Sequence, residues 1–336
     1  MENGKIVTLR HESEVLKTNV LGDAHRREVI VYLPPGYDGG GKRYPVVYAL
    51  AGFTGRGRMM LNDAAFTPNF AQRMDDLIAA GRIRPMMAVL PDCLTRYGGS
   101  QYINSTATGR YEDYLVEEIV PFVDRELRTI DDRAARAVMG KSSGGYGALV
   151  MAMRRADRFG LVCSTSGDCY FESVYLPDIP KAARAMRGDP RRLLDKFWDE
   201  TRPKGKDDFS ALNIIGMSAC YSPNPDSELG PDLPFDLPFD LATGELRADV
   251  WERWLAHDPV RMVAAARDAL ASLKLLFIDA GTRDEFFLDQ GARILSKRLA
   301  AAGVRHVHEE FEDGHFSISY RQNRSLELIS ENIAAD

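Results

Sequence analysis

Ala137-Val138-Met139-Gly140-Lys141-Ser142-Ser143-Gly144-Gly145-Tyr146-Gly147 passes from a short apolar stretch, through a turn of small residues, into a segment that suits a helix. Ser142 is the centre of a G-x-S-x-G pattern. A nucleophile held on a strand-to-helix turn needs backbone angles that bulky neighbours obstruct, and glycines two residues before and after it relieve that crowding. Residues 145–155 predict a helix whose positive dipole end faces the turn. Ser143 fits the pattern less well, because its flanking positions are Lys141 and Gly145. A rival reading lies on the same residues: 135–142 fits a relaxed phosphate loop, with Ala in place of the first Gly and Gly-Lys-Ser at its end. A phosphate loop needs an apolar strand before it and a flexible glycine-rich stretch within it. Here 129–133 is polar and 136–139 is itself strand-like, which disfavours nucleotide binding.

Outward from this turn, strand-type apolar runs at 28–33, 45–50, 86–90, 137–139, 161–165, 273–278 and 306–311 alternate with helix-type stretches. Most are continuously apolar, as in a mainly parallel sheet covered on both faces. The run at 28–33 is the exception: Val29, Val31 and Leu33 alternate with Ile30 and Tyr32, and Pro34-Pro35-Gly36 stops it. Helices are expected over 111–127, kinked or divided by Pro121, and over 289–302, stopped by Gly303. The alternation predicts an α/β, doubly wound architecture.

Residues 170–267 break the rhythm. They are rich in Pro, Asp and aromatics, and no basic residue lies between Lys206 and Arg247. A structureless loop of that length is improbable inside a compact domain. The segment is read as an inserted cap, helical around 190–198 and 249–257, with its acidic run a solvated face. The expected division is therefore 1–169 and 268–336 as two parts of one core, with 170–267 as the cap.

The chain has 336 residues, 45% of them hydrophobic, and a net charge of −6, which disfavours nucleic-acid binding and membrane-surface association. Residues 1–17 alternate charged and apolar types, so no ordinary signal peptide is expected, and no run is long enough to span a bilayer. Cys93, Cys163, Cys169 and Cys220 have no C-x-x-C spacing and are expected to be buried small hydrophobes in a reducing compartment. A soluble cytoplasmic protein without metal or cofactor is the expectation, with homo-oligomerisation left open.

A serine hydroxyl becomes a good nucleophile only when a base takes its proton and a carboxylate orients that base. The order Ser, acid, His directs attention to the end of the chain. His315, in Glu312-Asp313-Gly314-His315-Phe316 after the last strand, is the candidate base. His306 and His308 share a strand face and are expected to meet solvent rather than a metal. His257, in the cap, is expected at the surface or capping a helix. The acid should follow the penultimate strand, where Asp284 is the candidate, Glu285 the reserve, and Asp279 is placed at the strand end. The N–H groups of Ser143 and Phe53 are the expected oxyanion donors, with Gly52 letting the backbone approach the substrate.

Arg27-Glu28-Val29-Ile30-Val31-Tyr32-Leu33-Pro34-Pro35-Gly36-Tyr37 and Arg43-Tyr44-Pro45-Val46-Val47-Tyr48-Ala49-Leu50, together with Ser142-Ser143-Gly144-Gly145-Tyr146-Gly147-Ala148, Gly281-Thr282-Arg283-Asp284 and Gly314-His315, resemble the putative esterase family of α/β-hydrolases. That family includes esterase D (S-formylglutathione hydrolase), enterochelin esterase, feruloyl and acetyl-xylan esterases, and the antigen 85 mycolyltransferases. The resemblance implies an α/β-hydrolase fold and ester hydrolysis through an acyl-enzyme. The family commonly has His-Gly where this chain has Ala51-Gly52, and Lys141 before the nucleophile is unusual.

Three function classes follow: hydrolysis of a small-molecule carboxylic ester, acyl transfer with the same triad, and a non-catalytic binding scaffold. Candidate substrate contacts are Gly52, Gln101, Tyr102, Trp251 and Trp254, with Asp92, Tyr97 and Asn104 from the same polar stretch as Gln101. Phe235 and Phe239 are expected to add apolar surface from the cap.

Overall fold

A computed structural model describes residues 3–335. Eight strands form the central sheet: β1 (Lys5–Glu12), β2 (Arg26–Leu33), β3 (Val46–Leu50), β4 (Met87–Pro91), β5 (Arg136–Lys141), β6 (Leu161–Thr165), β7 (Leu275–Gly281) and β8 (Val307–Phe311). Their spatial order is β1-β2-β4-β3-β5-β6-β7-β8. β2 runs antiparallel to both neighbours, and all other pairings are parallel. The sheet is therefore mainly parallel, as an α/β-hydrolase fold requires.

Alternation along the strands divides the core into two layers. Val46, Tyr48, Val138, Val162 and Ile278 face the larger cluster, under α2 (Val120–Glu126), α3 (Ser143–Arg154) and, further along the chain, α8 (Leu288–Ala301). Val47, Ala49, Ala137, Met139, Cys163 and Phe277 face the smaller one, under α1 (Phe70–Ala79) and α9 (Arg321–Asn332). β2 is no exception to two-sided burial, because Ile30 and Tyr32 fill the second cluster while Val29 and Val31 fill the first. All four cysteines are buried and free.

The stretch expected to be kinked or divided by Pro121 is a continuous helical run. A π-helical turn, Tyr114–Ile119, joins directly to α2. The Val120 N–H donates to the Leu115 carbonyl, the wider π spacing, and Pro121, which has no N–H to offer, follows at once in the first turn of α2. Gly303, at φ 72°, follows α8 as expected.

Residues 170–267 contain α4 (Ile179–Met186), α5 (Pro190–Trp198), α6 (Lys206–Tyr221) and α7 (Ala248–Leu255). α6 is 16 residues long and lies inside the stretch read only as an acidic face. From Ala211 to Tyr221 all but one of its residues are buried, so its sequence lacks the polar stripe that would have marked it as a helix. No helix among the described residues is long and apolar enough to cross a membrane.

Candidate active site

The chain leaves β5 at Lys141 and turns at Ser142 with φ 58° and ψ −128° before entering α3. A non-glycine residue held at positive φ costs about 1–3 kcal/mol and persists only where its surroundings fix it. The fixing bonds are Ser142 N–H to the Thr165 carbonyl at 3.1 Å and Tyr146 N–H to the Ser142 carbonyl at 2.8 Å. The neighbouring glycines are sterically required. A Cβ on Gly144 would stand 2.2 Å from the Leu50 carbonyl oxygen, and one on Gly140 would stand 2.3 Å from the Gly144 oxygen.

The turn after β3 abuts this serine. A Cβ on Gly52 would lie 3.5 Å from Ser142 Cβ. The turn is closed by Gly55 N–H to the Gly52 carbonyl at 2.9 Å and anchored by Thr54 N–H to the Gly98 carbonyl at 2.6 Å. Between them lies Phe53, whose ring is wedged so closely that a Cβ on Gly98 or on Gly216 of α6 would come within 2.6 or 2.8 Å of it. Ser143 is the first residue of α3, so its N–H has no intrahelical acceptor. A cavity of about 220 Å³ opens beside Gly52, Gly140 and Lys141, walled in part by Met59, Met60 and Phe70.

Asp284 follows β7, and His315 follows β8. Their loops are bonded to each other: Thr282 N–H donates to the Phe311 carbonyl at 2.9 Å, and Arg283 N–H to the Asp313 carbonyl at 3.0 Å. Asp284 Oδ2 meets His315 Nδ1 at 2.9 Å, with both residues buried, and Asp284 Oδ1 accepts the Phe286 N–H at 2.9 Å. Burial pushes the Asp284 pKa upward, but the hydrogen bond and charge of His315 and the Phe286 N–H outweigh it and hold the carboxylate below its ordinary value. With Nδ1 committed to Asp284, Nε2 is the imidazole nitrogen available to a serine proton.

The neighbouring acids are occupied elsewhere. Glu285 Oε2 accepts the His315 backbone N–H at 2.6 Å and so braces the loop rather than the ring. Asp279 Oδ2 pairs with Arg321 Nε at 2.8 Å, and burial raises the Asp279 pKa to about 6 against the pull of Thr165 and Arg321. Lys141 Nζ stands 5.6 Å over the Phe316 ring, which brings the residue before Ser142 to the residue after His315. Burial lowers the Lys141 pKa, while Asp284, Asp168 and Glu285 oppose that shift.

Several expected substrate contacts are buried and bonded within the protein itself in this structure. Trp254 is fully buried, donates from Nε1 to Ser222 Oγ at 2.9 Å, and packs edge-on against Tyr175 and Tyr221. Trp251, Phe235 and Phe239 are also buried and offer no free apolar surface, which corrects the expectation for all four aromatics. Tyr97 OH donates to the Asp232 carbonyl, Asn104 Oδ1 accepts the Asp113 N–H, and Asp92 pairs with Arg27. Tyr102 OH donates to the Ala51 carbonyl at 2.7 Å, beneath the Gly52 turn. Gln101 is buried and donates to Asp168 and to Tyr221. Consecutive positive φ values at Gln101 (50°) and Tyr102 (57°) add to the strain near Ser142.

His257 is half-buried and stacked on Tyr221 at 5.2 Å, and burial together with the charge of Arg154 lowers its pKa to about 4. His306 meets Ser296 Oγ at 2.8 Å, and His308 is half-buried, so neither simply faces solvent. Among the described residues no group of three or more His, Cys, Asp or Glu is placed to hold a metal ion. Sequence reasoning missed Asp168, a buried carboxylate in the loop after β6 that contacts Ser143, Gln101 and Tyr175. Its partners come from distant parts of the chain, and no local pattern marks it.

A family model described as "Putative esterase" matches residues 22–322. An endo-1,4-beta-xylanase/feruloyl esterase of Xylanibacter ruminicola is 30% identical over 196 residues, covering 56% of this chain and 25% of that protein. Esterase Rv1288 of Mycobacterium tuberculosis is 31% identical over 300 residues, covering 85% of this chain and 52% of that protein. The chain thus spans a quarter to about half the length of these curated relatives. A ferulic acid esterase structure superposes with a TM-score of 0.61 at 20% identity, covering 99% of each chain. An S-formylglutathione hydrolase of Staphylococcus aureus does so with a TM-score of 0.58 at 17% identity, covering 98% of this chain and 100% of that one. At these identities the two structures speak for the fold.

Proposed function

The chain belongs to the Putative esterase family of α/β-hydrolases, and from that premise we propose that it hydrolyses small-molecule carboxylic esters with Ser142, His315 and Asp284 as its triad. The observation that carries this reading is the buried His315–Asp284 pair, bonded at 2.9 Å, at the same sheet edge as the strained Ser142. In the proposed reaction Ser142 Oγ attacks the ester carbonyl while His315 Nε2 takes the hydroxyl proton. The carbonyl oxygen becomes an oxyanion held by the N–H groups of Ser143 and Phe53. The C–O bond to the alcohol then breaks, and His315 returns its proton to the departing oxygen. Water, deprotonated by the same imidazole, hydrolyses the acyl-enzyme and restores the serine.

Residues 170–267 act as the cap of this site. The reading is supported by Gly216 of α6 against the Phe53 ring, and by Tyr175 and Tyr221 reaching the Asp168–Gln101 pair. Purified protein treated with a fluorophosphonate probe is expected to label at Ser142 and to lose ester turnover. Ser142→Ala is expected to abolish labelling and lower turnover by about 10⁴–10⁶-fold while remaining folded. Normal turnover in that variant would remove Ser142 from the reaction. Added alcohols that divert the acyl group from water would make the protein an acyltransferase instead.

A further inference from the structure

Asp168 lies beside the turn that carries Ser142, yet the reaction above gives it no task. It is 5% exposed. Its direct partners are neutral: Tyr175 OH at 3.0 Å, Gln101 Nε2 at 3.2 Å and Ser143 Oγ at 3.5 Å. All three converge on Oδ2, which leaves Oδ1 without a donor among the described residues. Burial raises the Asp168 pKa, and Tyr175, His315 and Gln101 pull the other way.

Gln101 is incomplete in the same sense. Its Nε2 donates to Asp168 and, at 2.9 Å, to Tyr221 OH, while Oε1, on a side chain 1% exposed, has no partner. The amide cannot be turned over to solve this, because its oxygen would then face the carboxylate. Buried acceptors without donors are uncommon, and each calls for an explanation in its surroundings. Here Gln101 Oε1 is one, and Asp168 Oδ1 on the residue bonded to it, unpartnered but not sealed from solvent, is a second open acceptor next to the amide expected to hold the oxyanion. Neighbouring left-handed backbone at Gln101 and Tyr102 fixes the loop that presents one of them.

We propose that Asp168 Oδ1 and Gln101 Oε1 form a donor-seeking subsite that selects esters carrying a hydroxyl or ammonium group near the scissile bond. The inference rests on the esterase reading and specifies its substrate class. A donor on the substrate meets acceptors that an unsubstituted ester leaves unpaired, and an anionic substituent is repelled by the carboxylate. A site built to bond a substrate hydroxyl discriminates strongly against the analogue that lacks it.

The test compares kcat/KM across matched esters in two arms. One arm varies the acyl side: 2-naphthyl butyrate, 3-hydroxybutyrate, 4-aminobutyrate and hemisuccinate. The other varies the alcohol side: butyrate esters of 3,3-dimethylbutanol, of a diol and of an amino alcohol. Wild-type protein is expected to favour the hydroxyl- or ammonium-bearing member of one arm by at least about tenfold over the unsubstituted one. Asp168→Asn and Gln101→Met are each expected to lower that preference at least about fivefold, while Ser142 still labels with fluorophosphonate. Asp168→Asn is expected to affect the ammonium esters most. Equal kcat/KM throughout both arms in labelled wild-type protein overturns the subsite and leaves the esterase reading standing. Loss of turnover in equal proportion for every ester in the variants also overturns it, because that is what a purely structural network predicts. Wild-type protein that neither labels nor turns over any ester overturns both readings.

Discussion

Gly144, in the turn that carries Ser142, and Trp254, in the segment 170–267, are both buried. Any side chain at Gly144 would collide with the Leu50 carbonyl, whereas at Trp254 the side chain itself fills the space between Tyr175 and Tyr221. The turn is specified by atoms that are missing and by backbone angles that neighbours enforce. Residues 170–267 are specified by bulk, through a cluster in which Tyr175, Tyr221, Trp251 and Trp254 pack on one another. Glycine substitutions in the turn should therefore disturb the backbone itself, polar exchanges at the neighbouring Asp284 should alter chemistry at nearly constant stability, and truncations among the packed aromatics should do the reverse.

The strongest way to break that contrast is Asp284→Asn, which is expected to lower kcat by about 10²–10⁴-fold with little change in unfolding midpoint. Asp284 is ionised at every pH above its ordinary value of 3.8, because its folded pKa lies below that. An acid limb in activity above that pH therefore comes from another group. Trp254→Ala should behave in the opposite way. Removing a fully buried aromatic costs about 3–5 kcal/mol, which denaturant unfolding would measure, while the folded fraction still labels at Ser142. If Trp254→Ala instead destroyed labelling without destabilising the protein, the two regions would not differ as described.

His257 sharpens the comparison through pH. Its folded pKa of about 4 lies below the ordinary 6.5, so the unfolded chain takes up a proton that the native site, through burial and the charge of Arg154, refuses. Its contribution to stability is complete above pH 6.5 and is lost as pH falls from there toward 4. Chemical unfolding across that range should steepen in wild type and flatten in His257→Gln; identical slopes would show that the ring titrates freely in the native state. The smallest effect is expected at Glu285→Gln. An amide oxygen can still accept the His315 N–H, so turnover should fall less than about tenfold, and a larger loss than in Asp284→Asn would reassign the acid.

The same contrast explains what the sequence disclosed. The β5–α3 turn was legible because steric exclusion leaves glycines at fixed spacing. Asp284 and His315 were legible as a candidate pair because the expected order of strands and loops left few positions for an acid and a base, and the structure bonds them to each other. α6 was not, because burial around nearly its whole circumference erases the polar stripe that periodicity detects. β1 was overlooked because only Val7, Leu9 and His11 of its eight residues are also more than lightly covered, alternating with exposed ones. Trp251 and Trp254 show why substrate surface is hard to assign: sequence does not distinguish an aromatic that packs on its own segment from one that faces a ligand. Asp168 illustrates the limit: its neighbours Gln101, Ser143, Tyr175 and Tyr221 are assembled only by the completed fold.

Phe53 has an implication for recombining this protein with its relatives. Its ring touches Gly98 in one loop and Gly216 in α6, while its own backbone belongs to the turn against Ser142. The two halves of a chimera would therefore have to be inherited together at this point. A foreign insert carrying alanine or anything larger where Gly216 stands would drive the ring, and with it the peptide of Phe53, out of register with the serine. Such hybrids should fold and yet turn over poorly, and a compensating change at position 53 to a smaller residue should restore them. Exchange of residues 170–267 thus has to preserve this interlocking contact together with the bonds from Tyr175, Tyr221 and Asp232.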